Sequence, residues 1–348
     1  MTGSQRDPVG HTEVRTTAAA KWGGSVASRL QGVLSVAPTS ANAQVAALAV
    51  IDVGFALFLS LTSRTFLTSA NMVAVGVAMA SNVLASMGST LVLLVGGFDL
   101  SIGSTYGLAG VIMAHALLRG IPVPSAMLLG LLVGVVIGLI NGLMVTKLQI
   151  NPFIATMGTM TVGRGLVHVL TRGYSVSGLP DSFMRLINAT IVGLPPSFVF
   201  MIVVFVVTDF LLRYWRPARQ LYYIGGSASS ARLVGVNVNR VQVAAYVISG
   251  FLAALGGLLF TTRTGAAHQM AGVGLEMKAL VAPFLGGVGF GGQGSALGAF
   301  LGATLLALVF NAIQLLNIAV LWQDVVTGAF LIGAALIGMA GIRRATKR

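Results

Sequence analysis

Few residues in this chain can do chemistry, and they stand in unusual company. Asp99 lies in "GGFDLSIGS" (96–104), directly behind the apolar run "LVLLV" (91–95), and Asp52 lies inside another apolar stretch. A carboxylate at membrane depth must face protein or water, and substrate or proton handling is its default reading. Asp52 has no basic residue in its own segment to pair with, which favours structural accommodation over proton coupling. Asp209 and Arg213 stand one helical turn apart, an i,i+4 pair that needs no function. Glu276 and Lys278 open a later apolar segment, where they flank a substrate exit or anchor a helix end.

Enzymatic motifs are missing where they would have to be. His11, His115, His168 and His268 are scattered and none forms an H-E-x-x-H pair, so the sequence predicts no metal site and no catalytic residue. "GGSAS" (225–229) lacks the G-x-S-x-G nucleophile turn. "GGVGFGGQGS" (286–295) spaces its glycines almost like a dinucleotide loop, yet it has no preceding strand and no downstream acid, and no G-x-x-x-x-G-K-[ST] occurs anywhere. If ATP drives this protein, another chain binds it. "NPF" (151–153) is similar to half of a water-channel signature, but there is no second copy; Asn151 as cap with Pro152 in the first turn is a plain helix start. The absence of cysteine removes disulfides, thiolate metal sites and a cysteine nucleophile together.

The elements that must hold these residues are membrane spans. Of 348 residues 56% are hydrophobic and only 8% charged, with 45 glycines, far from the composition of a soluble domain. Several apolar runs reach the roughly 20 residues that cross a bilayer core. The fold class is therefore an all-α polytopic membrane protein, with spans predicted at 45–62, 71–95, 102–118, 124–146, 152–170, 196–213, 241–262, 277–292, 295–316 and 321–342, the fifth and eighth being candidates for broken or re-entrant helices. Residues 1–40 read as a cytoplasmic tail with a short surface helix near Trp22, 41–342 as the membrane domain, and 343–348 as a second cytoplasmic tail.

The net charge of +13 follows topology rather than a nucleic-acid partner. With the N-terminus inside, 14 basic residues fall on the cytoplasmic side and five (Arg64, Arg119, Arg172, Arg185 and Arg263) outside, which supports an even number of crossings. Gly130, Gly134, Gly138 and Gly142, and again Gly294, Gly298 and Gly302, recur every four residues and predict close helix packing. The longest polar loops are 171–195 outside and 214–240 inside, the latter with a short helix over 227–235. Counting spans puts Asp99 at the cytoplasmic boundary between the second and third. There Asp99 and Ser101 are expected to cap the third helix while Gly96 and Gly97 permit a tight reversal, a conformational joint rather than a ligand site.

Four collinear segments carry a resemblance: "GGFDLSIGSTYGLAG" (96–110), "INGLMVTKLQINPFIATMGTMTVGRGL" (140–166), "IGGSASSARLVGVNVNRVQ" (224–242) and "AGVGLEMKALVAPFLGGVGFGGQGSALGAFLGA" (271–303). The chain resembles the membrane-spanning permease subunits of bacterial ATP-binding-cassette importers for ribose, xylose and related monosaccharides, over all but its first 40 or so residues. The resemblance implies a ten-helix subunit in the bacterial inner membrane with both termini cytoplasmic. It would pair with a second permease copy, identical or paralogous, receive a sugar or polyol from an extracytoplasmic binding protein, and rest on an ATPase subunit that carries the ATP and magnesium. This chain would then bind no cofactor and no nucleic acid, only its protein partners and lipid. By the same likeness 227–235 becomes the helix that couples to the ATPase, with Ser229, Ala231, Arg232 and Gly235 in its pattern and Asn237 following. One departure is clear: Ser229, Ser230 and Ala231 stand where the family usually has a glutamate in an E-A-A-like run, so a salt bridge to the ATPase is not supplied there. Asn141, Phe153, Thr156 and Thr159 are the candidates for the translocation path, with inter-helix hydrogen bonding the blander role for the hydroxyls. The competing class is an ion-coupled transporter working alone, with Asp52 and Asp99 as coupling carboxylates; an intramembrane enzyme ranks third.

Overall fold

The computed structural model describes residues 41–186, 190–191 and 193–345. The tail 1–40 and its expected helix near Trp22 lie outside the described residues. The first membrane helices are α1 (Ala41–Thr62), α2 (Ser69–Leu94), α3 (Ile102–Leu118), α4 (Val123–Thr146) and α5 (Pro152–Thr171). After a single turn, α6 (Asp181–Met184), come α7 (Pro196–Tyr214), two short helices α8 (Arg216–Gly226) and α9 (Ala228–Leu233), and the long α10 (Val238–Thr264). The chain closes with α11 (Leu275–Leu285), α12 (Ala296–Leu315) and α13 (Trp322–Ala345). The first three residues of the expected C-terminal tail continue α13.

Local chemistry sets most of these boundaries. Thr68 opens α2 by accepting the Asn71 N–H, and Ser295 opens α12 by accepting that of Gly298. Asn151 caps α5 by accepting the Phe153 N–H at 2.9 Å, with Pro152 in the first turn as the sequence predicts. Among the described residues seven helices (α1, α2, α4, α5, α7, α10 and α12) are long and apolar enough to cross a membrane. The fifth predicted span is one unbroken helix, α5. The eighth is not a full span: α11 holds 11 residues, about 16 Å of helix, with Pro283 near its end. Gly286 to Gly294 then continue as a loop whose only pairing is the bridge between Gly289 and Gln293.

Burial divides the helices by role. The apolar stretch of α2 is 89% buried inside the protein, whereas that of α1 is 17% buried, so α2 belongs to the core and α1 to the rim. On α4 the apolar side chains of Leu132, Val136, Leu139 and Ile140 point outward, while Gly130, Gly134, Gly138 and Gly142 on the other face are buried against α10. A Cβ on Gly134 would meet the Gly250 carbonyl, and one on Gly138 the Tyr246 carbonyl, so these backbones touch as the glycine spacing predicts. On α12 the same holds for Gly298 against Gly286 and Gly302 against Ala282. Gly294 departs from the predicted stripe: it precedes α12, at φ 118°, and packs on Val288.

The two ends of the bundle differ in charge. Lys147, Arg213, Arg216, Arg219, Arg232 and Arg240 gather where α4 and α7 end and α10 begins, hereafter the basic end. Arg64, Arg119, Arg172 and Arg263 lie at the far end, where a bridge between Val176 and Ala267 pins the 171–195 loop to the turn after α10.

Candidate functional site

Asp99 is the centre of the most connected polar system. After α2 ends at Leu94 the chain reverses at Gly96, whose φ of 79° is disfavoured for any residue with a side chain, and returns into the bundle instead of leaving it. The return is pinned by Tyr246 of α10, whose hydroxyl donates to the Phe98 carbonyl at 3.0 Å. Asp99 is consequently 1% exposed. Its Oδ1 accepts the Ser101 N–H at 3.0 Å and the Ser101 hydroxyl at 2.6 Å, and its Oδ2 accepts the Ser249 hydroxyl of α10 at 2.7 Å. The network runs on: the Asn141 amide of α4 donates to Ser101 Oγ at 2.8 Å, and Thr159 of α5 donates to Asn141 Oδ1 at 2.8 Å.

These partners fix the depth of Asp99. Asn141 lies five residues from the basic end of α4, Thr159 seven from that of α5, and Ser249 eleven from that of α10, or about 8, 10 and 16 Å along their helices. Asp99 is therefore inside the bundle and not at its boundary, because the segment after Gly96 climbs back beside the last turns of α2. The capping expectation is corrected too. Ser101 occupies the N-cap position of α3, but its side chain makes no capping bond and is spent on Asp99 and Asn141.

The four path candidates separate by burial. Thr156 is fully buried and donates to the Pro152 carbonyl at 2.8 Å, so it lines nothing. Asn141 is fully buried and Thr159 half-buried, both inside the Asp99 network. Phe153 alone is exposed, and its ring meets the edge of Phe98 at 6.4 Å. Phe98 also packs on Phe290 at 4.7 Å, and Phe290 on Phe284 at 5.5 Å, giving an aromatic cluster between α5, the returning segment and the loop after α11.

At the basic end the predicted short helix exists with different bounds. α9 spans Ala228–Leu233, and Ser227 caps it by accepting the Ser230 N–H at 3.2 Å. Ser229 is exposed, with its hydroxyl 3.0 Å from that of Ser227. Ala231 is buried, Arg232 exposed, and the tip residues Leu233 and Val234 are 89% and 76% exposed. Gly235, at φ 82°, and Asn237 lie beyond the helix; Asn237 caps α10 by accepting the Arg240 N–H.

The amphipathic α8 escaped the sequence reading, although Pro217 in its first turn and the buried pair Leu221 and Ile224 on one face are its signals. Burial, with the Asp209 carboxylate nearby, pushes the Tyr222 phenol of this helix above its ordinary range. At its C-terminus Gly225 abuts both the Leu94 carbonyl and the Gly292 backbone so closely that a Cβ would overlap them.

Asp209 and Arg213 form the predicted ion pair at 2.6 Å. Glu276 and Lys278 lie in the first turn of the half-length α11, at a helix end as one of the two expected roles has it. Glu276 accepts the Gly274 N–H at 3.3 Å and presses its other oxygen on Gly103, beside Arg164, which donates to the Ala271 carbonyl at 2.8 Å. The Lys278 ammonium stands 4.6 Å over the Phe310 ring. Asp52 is 6% exposed, and neither of its oxygens has a hydrogen-bond partner among the described residues.

Residues 71–335 match the family described as branched-chain amino acid transport system / permease component. The chain is 33% identical over 284 residues to the D-allose transport system permease protein of Escherichia coli, covering 81% of this chain and 87% of that one. It is 36% identical over 284 residues to the ribose import permease protein of Bacillus subtilis (81% and 88%), and 34% identical over 256 residues to the autoinducer 2 import system permease protein of an Enterobacter species (73% and 75%). No solved structure matches it.

Proposed function

From the premise that this chain belongs to that permease family, a transport component and not an enzyme, we propose that it forms the membrane path of an ATP-driven importer for a sugar or polyol. The observation that carries the reading is α9, a six-residue helix held out at the basic end with an apolar tip exposed, in a chain without a phosphate loop of its own. Such a tip calls for a partner, and an ATPase subunit holding ATP and magnesium is the one that supplies the missing energy source. The names of the relatives, import permeases for allose and ribose among them, support the substrate class. The excess of Lys and Arg at the basic end supports its assignment to the cytoplasm of a bacterial inner membrane, with both termini on that side.

The contacts above give the stroke a route. A push on α9 reaches α8 through the one-residue hinge at Ser227, and α8 abuts Leu94 and Gly292 through Gly225. Those two backbones lead directly into Phe98 and Phe290, so moving α8 opens or closes the aromatic cluster. A second permease copy completes the path opposite these rings, and a binding protein delivers the sugar at the far end.

The test is reconstitution. The chain is placed in proteoliposomes with the ATPase and binding protein encoded beside it, and uptake of labelled D-ribose, D-xylose, D-allose and D-galactose is measured. Uptake of at least one sugar should require ATP and all three proteins and should survive collapse of ion gradients. Uptake by the chain alone on an ion gradient would overturn the proposal.

A further inference from the structure

Toward the far end, where α11 begins, a cavity of about 150 Å³ opens between four helices. Ser81 and Asn82 of α2, Tyr106 of α3, Phe260 of α10 and Lys278 of α11 line it. Their polar groups are provided unequally with partners. Ser81 and Tyr106 share a hydrogen bond at 3.0 Å. Asn82 is only 7% exposed and its amide makes no hydrogen bond to the described residues, so its two donors and one acceptor are left for whatever enters the cavity that it lines. Among the described residues Lys278 makes no direct ion pair: its ammonium lies over the Phe310 ring, with the Asp324 and Glu276 carboxylates within electrostatic reach but outside the cavity lining. The rings of Tyr106 and Phe260 lie 5.7 Å apart, tilted by 48°, and give the cavity an apolar aromatic wall.

The cavity is also approachable. Ala74 and Ala78 are exposed on the face of α2 that carries Ser81 and Asn82, so a strip of small side chains leads from the far end of α2 to the floor. Ser81 lies twelve residues from the start of α2, about 18 Å along the helix. Tyr106 lies as far from the far end of α3. The floor is thus near the middle of the bundle, where α11 breaks the membrane pattern, and broken helices at mid-depth are tolerated where they border protein or a water-filled cavity.

We propose that this cavity is a binding station for a monosaccharide on its way through the protein, an inference that rests on the sugar-permease reading above. A sugar ring presents what the walls ask for: a C–H face for Tyr106 and Phe260, and hydroxyls for the Asn82 amide and the Lys278 ammonium. The Lys278 charge is already balanced by Glu276 and Asp324 outside the lining, so the cavity asks for hydrogen-bonding groups and not for an anion, which a neutral polyhydroxylated ring supplies. The station lies on the entry side of the Asp99 network and the aromatic cluster, so sugar occupies it before the basic end opens.

The chain has no cysteine, so Asn82→Cys creates a single thiol. In the complex assembled with its ATPase and binding protein, that thiol is reacted with a charged methanethiosulfonate from the outer side, with and without a millimolar excess of whichever of D-ribose, D-xylose, D-allose and D-galactose the wild type takes up. The sugar should slow labelling several-fold while leaving Ser69→Cys, exposed at the start of the same helix, unaffected. Ser81→Cys repeats the measurement if Asn82→Cys fails to assemble. Phe260→Ala and Lys278→Met should lower uptake about tenfold, or reorder the four sugars, with ATP hydrolysis retained. Should the wild type move a sugar that gives no protection of either thiol, the station is refuted and the permease reading stands; should the wild type move none of them, that reading falls and the station with it.

Discussion

Replacing Asp99 separates a structural carboxylate from one that handles charge. The wild-type side chain accepts three hydrogen bonds, two from Ser101 and one from Ser249. In Asp99→Asn the amide oxygen can keep both Ser101 bonds, while the new NH2 takes the place of Oδ2 and the Ser249 hydroxyl rotates to accept from it. What is lost is the difference between charge-assisted and neutral bonds, about 1–2 kcal/mol over the site. Asp99→Leu removes all three acceptors. Ser249 can turn to a carbonyl one turn back in α10, but the Ser101 N–H and hydroxyl are stranded, at about 1–3 kcal/mol each, so the total is about 2–6 kcal/mol. The assay is heat unfolding of the detergent-solubilised complex, read beside sugar uptake. The Asn variant should melt close to wild type and transport; the Leu variant should melt well below it and fail to assemble. A Leu variant as stable as wild type would refute the argument from buried donors. An Asn variant that is stable yet as inactive as Leu would refute the structural role itself and restore the charge of Asp99 to the mechanism, as an ion-coupled transporter requires.

Two further predictions follow from packing and exposure. Gly134→Leu and Gly250→Val drive a side chain into the facing backbone of α10 or α4 and should each destabilise the solubilised protein by about 2 kcal/mol or more, whereas Gly158→Ala, with nothing within 4 Å of its new Cβ, should melt like wild type. Leu233→Glu and Val234→Glu alter side chains 89% and 76% exposed and should leave that melting temperature unchanged, while co-purification of the ATPase subunit falls about tenfold.

The sequence reading succeeded where one physical constraint dominates. A bilayer demands about 20 apolar residues per helix, so nine of the ten predicted spans coincide with helices to within a few residues. The exception, 277–292, failed because glycine does not depress hydropathy: "GGVGFGG" reads as apolar, yet Gly287, Gly291 and Gly292 have positive φ and the chain there cannot be helical. Asp99 was placed at the boundary for a related reason. Counting spans treats every reversal as a loop at the surface, and nothing in "GGFDLSIGS" says that the residues after Gly96 turn back inside. The amphipathic α8 was lost because 11 residues that include Arg216, Arg219, Gln220 and two terminal glycines resemble a loop more than a span.

The polar path candidates make hydrogen bonds inside the protein, and the cause is general. The sequence offered polar residues in spans both a path role and the blander one of hydrogen bonding within the bundle, and a hydroxyl in a low-dielectric bundle satisfies itself on a near acceptor, in a helix often the carbonyl one turn back. Thr156 does so on Pro152, and Thr159 and Asn141 satisfy each other. Polarity inside a membrane protein therefore marks internal contacts first. What distinguishes a binding residue is a polar group left without a protein partner beside space that a ligand can enter. Asp52 meets the first condition but does not line the cavity bounded by Asn82 and Lys278. Asn82 meets both conditions, and Lys278, with no direct ion pair among the described residues, joins it at the cavity from a position almost 200 residues away, by the break at the start of α11. That conjunction requires the fold, so it was not legible in "ASNVL" or "LEMKA" taken alone.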